Sequence, residues 1–264
     1  MIVDGRTIAE EILARTKERA NKLLHPPKVV AIVGAETPAT LAYMRVKARA
    51  AENAGCVFES RPLGADVADA DAVIVQLPLP VEIDQKTLLD SIPVEKDADV
   101  LGSAAREIFA RGDPAALLPP VVATIAEIFK RHAVELKGKQ AVVVGSGFLV
   151  GQPAALWLGQ QEASVTVLGR GANFETALAD ADIVVSGAGS PGLIKPMMLK
   201  QGVMLIDAGT SESGGTLVGD ADPACAPKCS VFTPVPGGVG PIAVACLLSN
   251  VVTLAERALT DLVI

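Results

Sequence analysis

The sequence predicts an α/β fold in two lobes, and three observations carry that prediction. Short apolar, β-branched runs alternate with longer stretches of helical periodicity, the order expected of parallel sheets covered by helices. A glycine-rich turn, residues 145–151, stands between one such run and an apolar helix. The composition changes near residues 115 to 120 and returns near 240, with no internal repeat and no low-complexity linker.

The elements follow in order. "TIAEEILARTKERANKLL" can place Ile8, Ile12, Leu13, Thr16, Ala20 and Leu23 on one helical face, and Pro26-Pro27 stops it. "KVVAIVGA" suits a buried parallel strand. "PATLAYMRVKARAAENAG" is the next helix, with Gly55 as its stop. "CVFESRPL" and "ADAVIVQLPLP" read as strands, the second broken by Pro78 and Pro80. A weaker zone follows "EKDADVLG", and a helix is expected from about Val121 to His132. "AVVVG", the glycine-rich turn, a helix from about Leu149 and "SVTVLGR" make strand, turn, helix, strand. "ADIVVSGAG" and "GVMLIDAG" supply two more buried strands. "PIAVACLLSNVVTLA", interrupted by Ser249 and Asn250, is short for a membrane span of about 20 residues and reads as a buried helix.

Half of the 264 residues are hydrophobic but only 3% are aromatic, so the core must be built from Ala, Val, Leu and Ile. The net charge of −7 argues against nucleic acid or an anionic membrane as partner, since both attract basic faces. Cys225 and Cys229 lack a second pair at zinc-finger spacing, and His25 and His132 stand apart from them, so no metal is expected. Reduced cytoplasmic thiols are the expectation for the four cysteines. The start "MIVDGRTIAEEI" has no basic and apolar leader pattern.

Gly145, Gly147 and Gly151 form G-x-G-x-x-x-G, one residue longer than the dinucleotide fingerprint. Gly145 allows the tight turn, Gly147 lets backbone approach a pyrophosphate, and the following helix aims its N-terminal amides at the anion. A purely structural turn is the alternative. "SVTVLGR" ends about 24 residues after Gly145, where Asp or Glu would hold a free ribose hydroxyl. Arg170 stands there instead, which suits a 2′-phosphate and favours NADP over NAD, unless Arg170 is simply a surface charge.

Tyr43, the only tyrosine, precedes Lys47 by four residues, so one helix would put both on one face. Arg45, Lys47 and Arg49 can equally be read as a solvated basic stripe. Gln76 closes a buried strand before two prolines, a way for a chain to leave the C-terminal end of a strand and line a cleft. "KDAD" offers Asp97 and Asp99, and "PVPGGVGP" combines stiff prolines with permissive glycines.

Together these pieces resemble the bifunctional methylenetetrahydrofolate dehydrogenase/cyclohydrolase family, nearly end to end. The resemblance rests on "DGRTIA", Tyr43-x-x-x-Lys47, "VQLPLP", "KDAD", the "VVVG…VGQP" turn, "ADIVVSGAG", "IDAG" and "TPVPGGVGP". It implies a folate-binding lobe of residues 1–116 with 241–264, the last helix returning to it, and a Rossmann-like NAD(P)-binding lobe of residues 117–240. It implies Lys47 as main catalytic group, Gln76 as its support, Tyr43 stacking on the folate and Asp99 on the pterin. Leu77, Pro78, Pro236, Gly237 and Gly238 would line the folate side. Gly145, Ser146, Gly147, Val150, Gly151, Arg170, Ala188 and Gly189 would hold NADP, with NAD possible. The implied chemistry is oxidation of methylene-tetrahydrofolate to the methenyl cation, then hydrolysis to formyl-tetrahydrofolate, by a cytoplasmic homodimer joined through the nucleotide lobe.

The chain departs from the family pattern at several places. Ser146 stands where arginine is common in the turn, Val100 where glycine follows "KDAD", and Pro120-Val121-Val122 follow Pro119 where Cys-Thr-Pro is usual. Ala243 replaces a threonine of the last helix, and the segment from Cys56 to Val75 is short, as if a helix were lost. Two other readings therefore stand beside the leading one. One is a single-activity cyclohydrolase or related NAD(P) oxidoreductase; the other is a folate- or nucleotide-binding protein without turnover.

Overall fold

The computed structural model describes residues 1–213 and 216–261. The chain divides into two units: a first lobe of Ala9–Pro120 with Val244–Ile264, and a second of Met1–Ile8 with Val121–Ala243.

In the first lobe the elements are α1 (Gly5–Ala20) beyond its first turn, β1 (Lys28–Val33), α2 (Pro38–Asn53), β2 (Val57–Pro62), β3 (Ala72–Gln76), α3 (Gln85–Asp90) and α4 (Ser103–Ala110). Helix α1 stops before Leu23, which the periodicity had placed on its face. The amides of Lys22 and Leu23 bond three residues back, to Arg19 and Ala20, and this tightens the last turn and ends the helix. The three strands are parallel in the order β2-β1-β3, with Val33 opposite both Pro62 and Gln76. β3 is buried throughout and β1 along its middle, hence their continuous apolar sequence. Strand β2 is an edge carrying charge: Lys28 pairs with Glu59 and Asp69, and Arg61 with the same two carboxylates. No helix joins β2 to β3, which accounts for the short segment noted above. Gly55, at φ +73°, follows α2 in a conformation that favours glycine.

In the second lobe follow α5 (Pro120–Arg131), β4 (Gln140–Val144), α6 (Gly151–Gln160), β5 (Ser164–Leu168), α7 (Phe174–Ala179), β6 (Ile183–Ser186), β7 (Val203–Asp207), β8 (Ser211–Ser213), β9 (Thr216–Val218) and β10 (Cys229–Phe232). Strands β10-β7-β6-β4-β5 form a parallel sheet, and β8-β9 a separate antiparallel pair. Val142, Val144, Val184 and Leu205 share one core with Leu178, Ile194 and Phe232. Helices α5 and α6 meet through Phe129 and Trp157, whose rings stack 6.4 Å apart. The chain runs from β4 out to β5, then crosses to β6 on the other side of β4. The C-terminal ends of β4 and β6 thus form the topological switch point, where ligands of open parallel sheets bind.

The sequence groups residues 1–8 with the first lobe, whereas they lie in the second. Ile2 bridges Phe232 in parallel, and the Val3 amide donates to the Phe232 carbonyl at 2.8 Å, so the N-terminal segment extends the edge beside β10. Asp4 then accepts from the Arg6 and Thr7 amides as the entry to α1. A Cβ on Gly5 would overlap the Gly238 carbonyl oxygen, so "DGRTIA" and "PVPGGVGP" are two halves of one packing contact.

The last helix, α8 (Val239–Asp261), is long and apolar enough to cross a membrane, yet Ala245, Leu248, Val251 and Val252 are buried inside the protein. It packs against α1: the Arg19 guanidinium bonds Glu256 at 2.6 and 3.0 Å, Thr253 at 2.7 Å and Ser249 at 3.1 Å.

Candidate functional site

The first lobe has a pocket of about 300 Å³ at the C-terminal ends of β1 and β3. Thr37 caps α2 by accepting from the Thr40 amide at 3.1 Å, and Pro38 presets the first turn. That fixes Tyr43 on the pocket wall opposite Gln76, Leu77 and Pro78. The Lys47 Nζ donates to Gln76 Oε1 at 2.9 Å. Gln76 Nε2 donates in turn to the Leu77 carbonyl at 2.7 Å, so the amide is held with its oxygen towards the lysine. Arg45 and Arg49 are exposed, while Lys47 is half-buried, so Lys47 does not belong to a solvated stripe. The Leu77-Pro78 bond is cis, as is Val235-Pro236.

Asp97 and Asp99 have different surroundings. Asp97 is buried beside β3, where its Oδ2 accepts from the amides of Leu101 at 2.9 Å and Gly102 at 2.8 Å. Burial pushes its carboxyl up to about 6, the amide bonds from Gly102 and Leu101 and the neighbouring Asp99 charge being smaller influences. Asp99 is only partly exposed; burial raises its carboxyl and the Lys47 charge pulls it back. Val100 follows Asp99 at φ +57°, a region that disfavours a β-branched residue. Its side chain is 1% exposed, and the Asp97 bonds on the next two amides hold the turn. Asn250, the polar break noted in the last helix, donates to the carbonyls of Ala98 at 2.9 Å and Leu118 at 3.0 Å. Asp97 and Asn250 were not singled out for these roles, because their partners lie elsewhere in the chain.

In the second lobe Gly145, Ser146, Gly147, Val150, Gly151, Ala188 and Gly189 come together at the switch point. Gly145 has φ +98°, and a Cβ there would sit 2.9 Å from the Gly187 carbonyl oxygen. Helix α6 begins at Gly151, two residues later than expected. A Cβ on Gly151 would overlap the Gly145 carbonyl, so the third glycine serves close packing of helix on turn. Val150 packs against Gly187 and joins the turn to the loop after β6. The surface above is open: a Cβ on Gly147 would meet nothing nearer than 3.9 Å, and one on Gly189 nothing within 4 Å. No side chain caps α6, which leaves its N-terminus to an anion. This cradle fits a pyrophosphate. Arg170 is exposed just beyond the C-terminal end of β5, and Ser146 is exposed in the turn. Pro236, Gly237 and Gly238 follow β10, two strands removed from β6, and are held by the Gly5 contact.

Two further buried carboxyls support this crevice. Asp207, 1% exposed, accepts from the amides of Gly209 at 2.9 Å, Ala221 at 2.8 Å and Asp220 at 3.2 Å. Burial pushes it up to about 6 against the Ala221 amide bond. Asp220 accepts from the loop after β6. The four cysteines are buried thiols, none in a disulfide. Burial pushes the Cys56 and Cys225 thiols up to about 12 and Cys229 to about 11, which makes them unreactive.

Comparison with known proteins matches both lobes. The model of the tetrahydrofolate dehydrogenase/cyclohydrolase catalytic domain matches residues 3–99, and that of the NAD(P)-binding domain matches residues 119–259. The bifunctional protein FolD of Thermotoga petrophila is 37% identical over 272 residues, covering 97% of this chain and 99% of that protein. FolD of Moorella thermoacetica is 36% identical over 278 residues, with the same coverage. The crystal structure of the Campylobacter jejuni enzyme superposes with a TM-score of 0.93 at 29% identity, covering 98% of this chain and 99% of that one. The Trypanosoma brucei enzyme, crystallised with NADP cofactor and inhibitor, gives 0.91 at 30% identity, covering 98% of each.

Asp97 and Asp207, two of the three aspartates whose carboxyls burial raises, predict a pH dependence. An aspartate in the unfolded chain titrates near pH ~3.9. Asp97 and Asp207 hold their protons to about 6 when folded, so their stabilising contribution is complete below about pH 4 and lost as pH rises through about 6. Asp97→Asn keeps one oxygen for both amides and removes one titration. The fall in thermal midpoint between about pH 4 and 6.5 should therefore shrink by up to about half; an unchanged slope contradicts the assignment.

Proposed function

The chain belongs to the tetrahydrofolate dehydrogenase/cyclohydrolase family, and from that membership we propose how its own residues divide the work. It is a bifunctional enzyme that oxidises methylene-tetrahydrofolate with NADP and hydrolyses the methenyl product to formyl-tetrahydrofolate. The first lobe takes the folate and the second takes the nucleotide.

The single observation that carries the catalytic reading is the Lys47–Gln76–Leu77 chain of hydrogen bonds at the pocket. An ammonium has three donors. One is committed to Gln76, and two remain for a reacting oxygen. In the hydrolysis, water adds to the cationic methenyl carbon and gives up one proton. A C–N bond of the adduct then breaks as its nitrogen takes a proton and the hydroxyl gives one up to become the formyl carbonyl. Lys47 is placed to manage that traffic, and Gln76 holds its nitrogen at one point. Tyr43 offers its ring for stacking on the folate beside Leu77 and Pro78. Asp99 serves as acceptor for the pterin nitrogens.

When bound, NADP accepts the hydride of the oxidation. The residues suited to hold it are Gly145, Ser146, Gly147, Val150 and Gly151 at the pyrophosphate, with Ala188 and Gly189 on the facing loop. Arg170 is the cation suited to a 2′-phosphate, in place of the arginine missing at Ser146. The reduced thiols favour a cytoplasmic setting, and the net charge of −7 favours neither nucleic acid nor membrane as partner.

Strand β5 is the outer strand of its sheet, and Val167 on it is 46% exposed. An open strand edge with an uncovered valine favours pairing with a second copy as a homodimer.

Lys47→Met should lower hydrolysis of methenyl-tetrahydrofolate by about 10²-fold or more, while NADP-dependent formation of the methenyl product remains measurable. Retained hydrolysis would remove Lys47 from the mechanism. In sedimentation, the wild type should run as a dimer and Val167→Asp as a monomer. A dimeric variant, or a monomeric wild type, would contradict pairing through β5.

A further inference from the structure

We propose that Asp220 is a positioning residue of the dehydrogenase reaction: it sets the loop after β6, and through that loop the shape of the nucleotide crevice. The inference rests on the reading of the second lobe as the NADP-binding lobe, and it adds a residue that the glycine motif does not contain.

Asp220 is wholly buried, and both of its oxygens are in use. Oδ2 accepts from the Ser186 hydroxyl at 2.6 Å and the Ala188 amide at 2.7 Å, and Oδ1 accepts from the Ser190 amide at 2.7 Å. These three donors span the loop that turns out of β6 and bracket Gly189, which has φ +63°. The loop in turn touches the glycine-rich turn: Gly187 packs on Val150, and its carbonyl lies against Gly145. One carboxyl therefore fixes one wall of the crevice, and that wall abuts the other. Its own place is fixed as well. Its backbone amide donates to Asp207, and Gly209 packs so closely on the carboxyl that a Cβ there would overlap it.

Both oxygens must accept, and this makes the residue specific. In an asparagine one oxygen becomes an NH₂ donor. Whichever way the amide turns, it faces the Ala188 or the Ser190 N–H, and one buried amide loses its partner. The Ser186 hydroxyl can rotate to accept instead, so it is the dispensable member.

The test is the split between the two activities in Asp220→Asn. The Kd and KM for NADP⁺ should rise by about tenfold, the cost of one orphaned buried amide, with kcat at saturating NADP⁺ changed much less. Hydrolysis of added methenyl-tetrahydrofolate should stay within about twofold, which also reports that the variant folds. Ser186→Ala, which keeps both amide bonds, should bind NADP⁺ like the wild type. If Asp220→Asn does not fold, Gly209→Ala, which crowds the same carboxyl, should show the same split. Unchanged NADP⁺ affinity, a parallel loss of both activities, or a Ser186→Ala defect as large as that of Asp220→Asn would overturn the proposal. A wild type that binds no NADP⁺ at all would instead sink the functional reading beneath it.

Discussion

Backbone amides held by buried carboxyls are the constraint on which both lobes depend. The loops that leave the C-terminal ends of parallel strands must present groups to ligands, yet their inward amides cannot be left without partners. Asp97 meets this need beside β3, and Asp207 and Asp220 meet it beside β6 and β7. Burial of such groups is costly, and for Asp97 and Asp207 it outweighs the amide bonds enough to raise the carboxyl to about 6. These loops are accordingly held in place by the protein's own carboxyls. The strained Val100 is an example: its left-handed backbone lies between a carboxyl acting on the next two amides and an Asn250 side chain acting on the preceding carbonyl of Ala98.

The proposed chemistry sits on top of these supports and needs few residues. Lys47 is carried by a helix whose start is fixed by Thr37 and Pro38, and its nitrogen is fixed by Gln76. The charge of Asp99 and that of Lys47 act on each other. In the second lobe the nucleotide cradle is almost entirely backbone. Its glycines are needed for space: Gly145 against the Gly187 carbonyl, and Gly151 against the Gly145 carbonyl. The serine at position 146 changes the charge of the cradle but not its shape, because a side chain there is exposed.

What the sequence made legible follows from the range of each interaction. The long strands were readable because burial on both faces leaves continuous apolar runs, as in "AVIVQ" and "VMLID". The Tyr43–Lys47 face was readable from helical spacing, and Gln76 from its place before two prolines. Some short elements were not: α3 and α7 have six residues each, too few for a helical period to declare itself, and in β10 the exposed Ser230 interrupts the apolar run. The placement of residues 1–8 was hidden because it depends on a bridge from Ile2 to Phe232. Asp207 and Asp220 were hidden for the same reason. In "IDAG" and "VGDAD" an aspartate reads as a turn residue, whereas the donors to Asp220 lie 30 to 34 residues away. Local spacing also misplaced the start of α6, since only the packed structure shows that Gly151 must be the first residue of the helix.

The most direct measurement is absorbance after mixing the purified chain with methylene-tetrahydrofolate, once with NADP⁺ and once with NAD⁺. Reduced nucleotide should form with NADP⁺ in preference to NAD⁺, and added methenyl-tetrahydrofolate should decay to the formyl product in the same preparation. Failure to form reduced nucleotide with either cofactor would contradict the dehydrogenase half of the assignment. Persistence of the methenyl band at its uncatalysed rate would contradict the hydrolytic half.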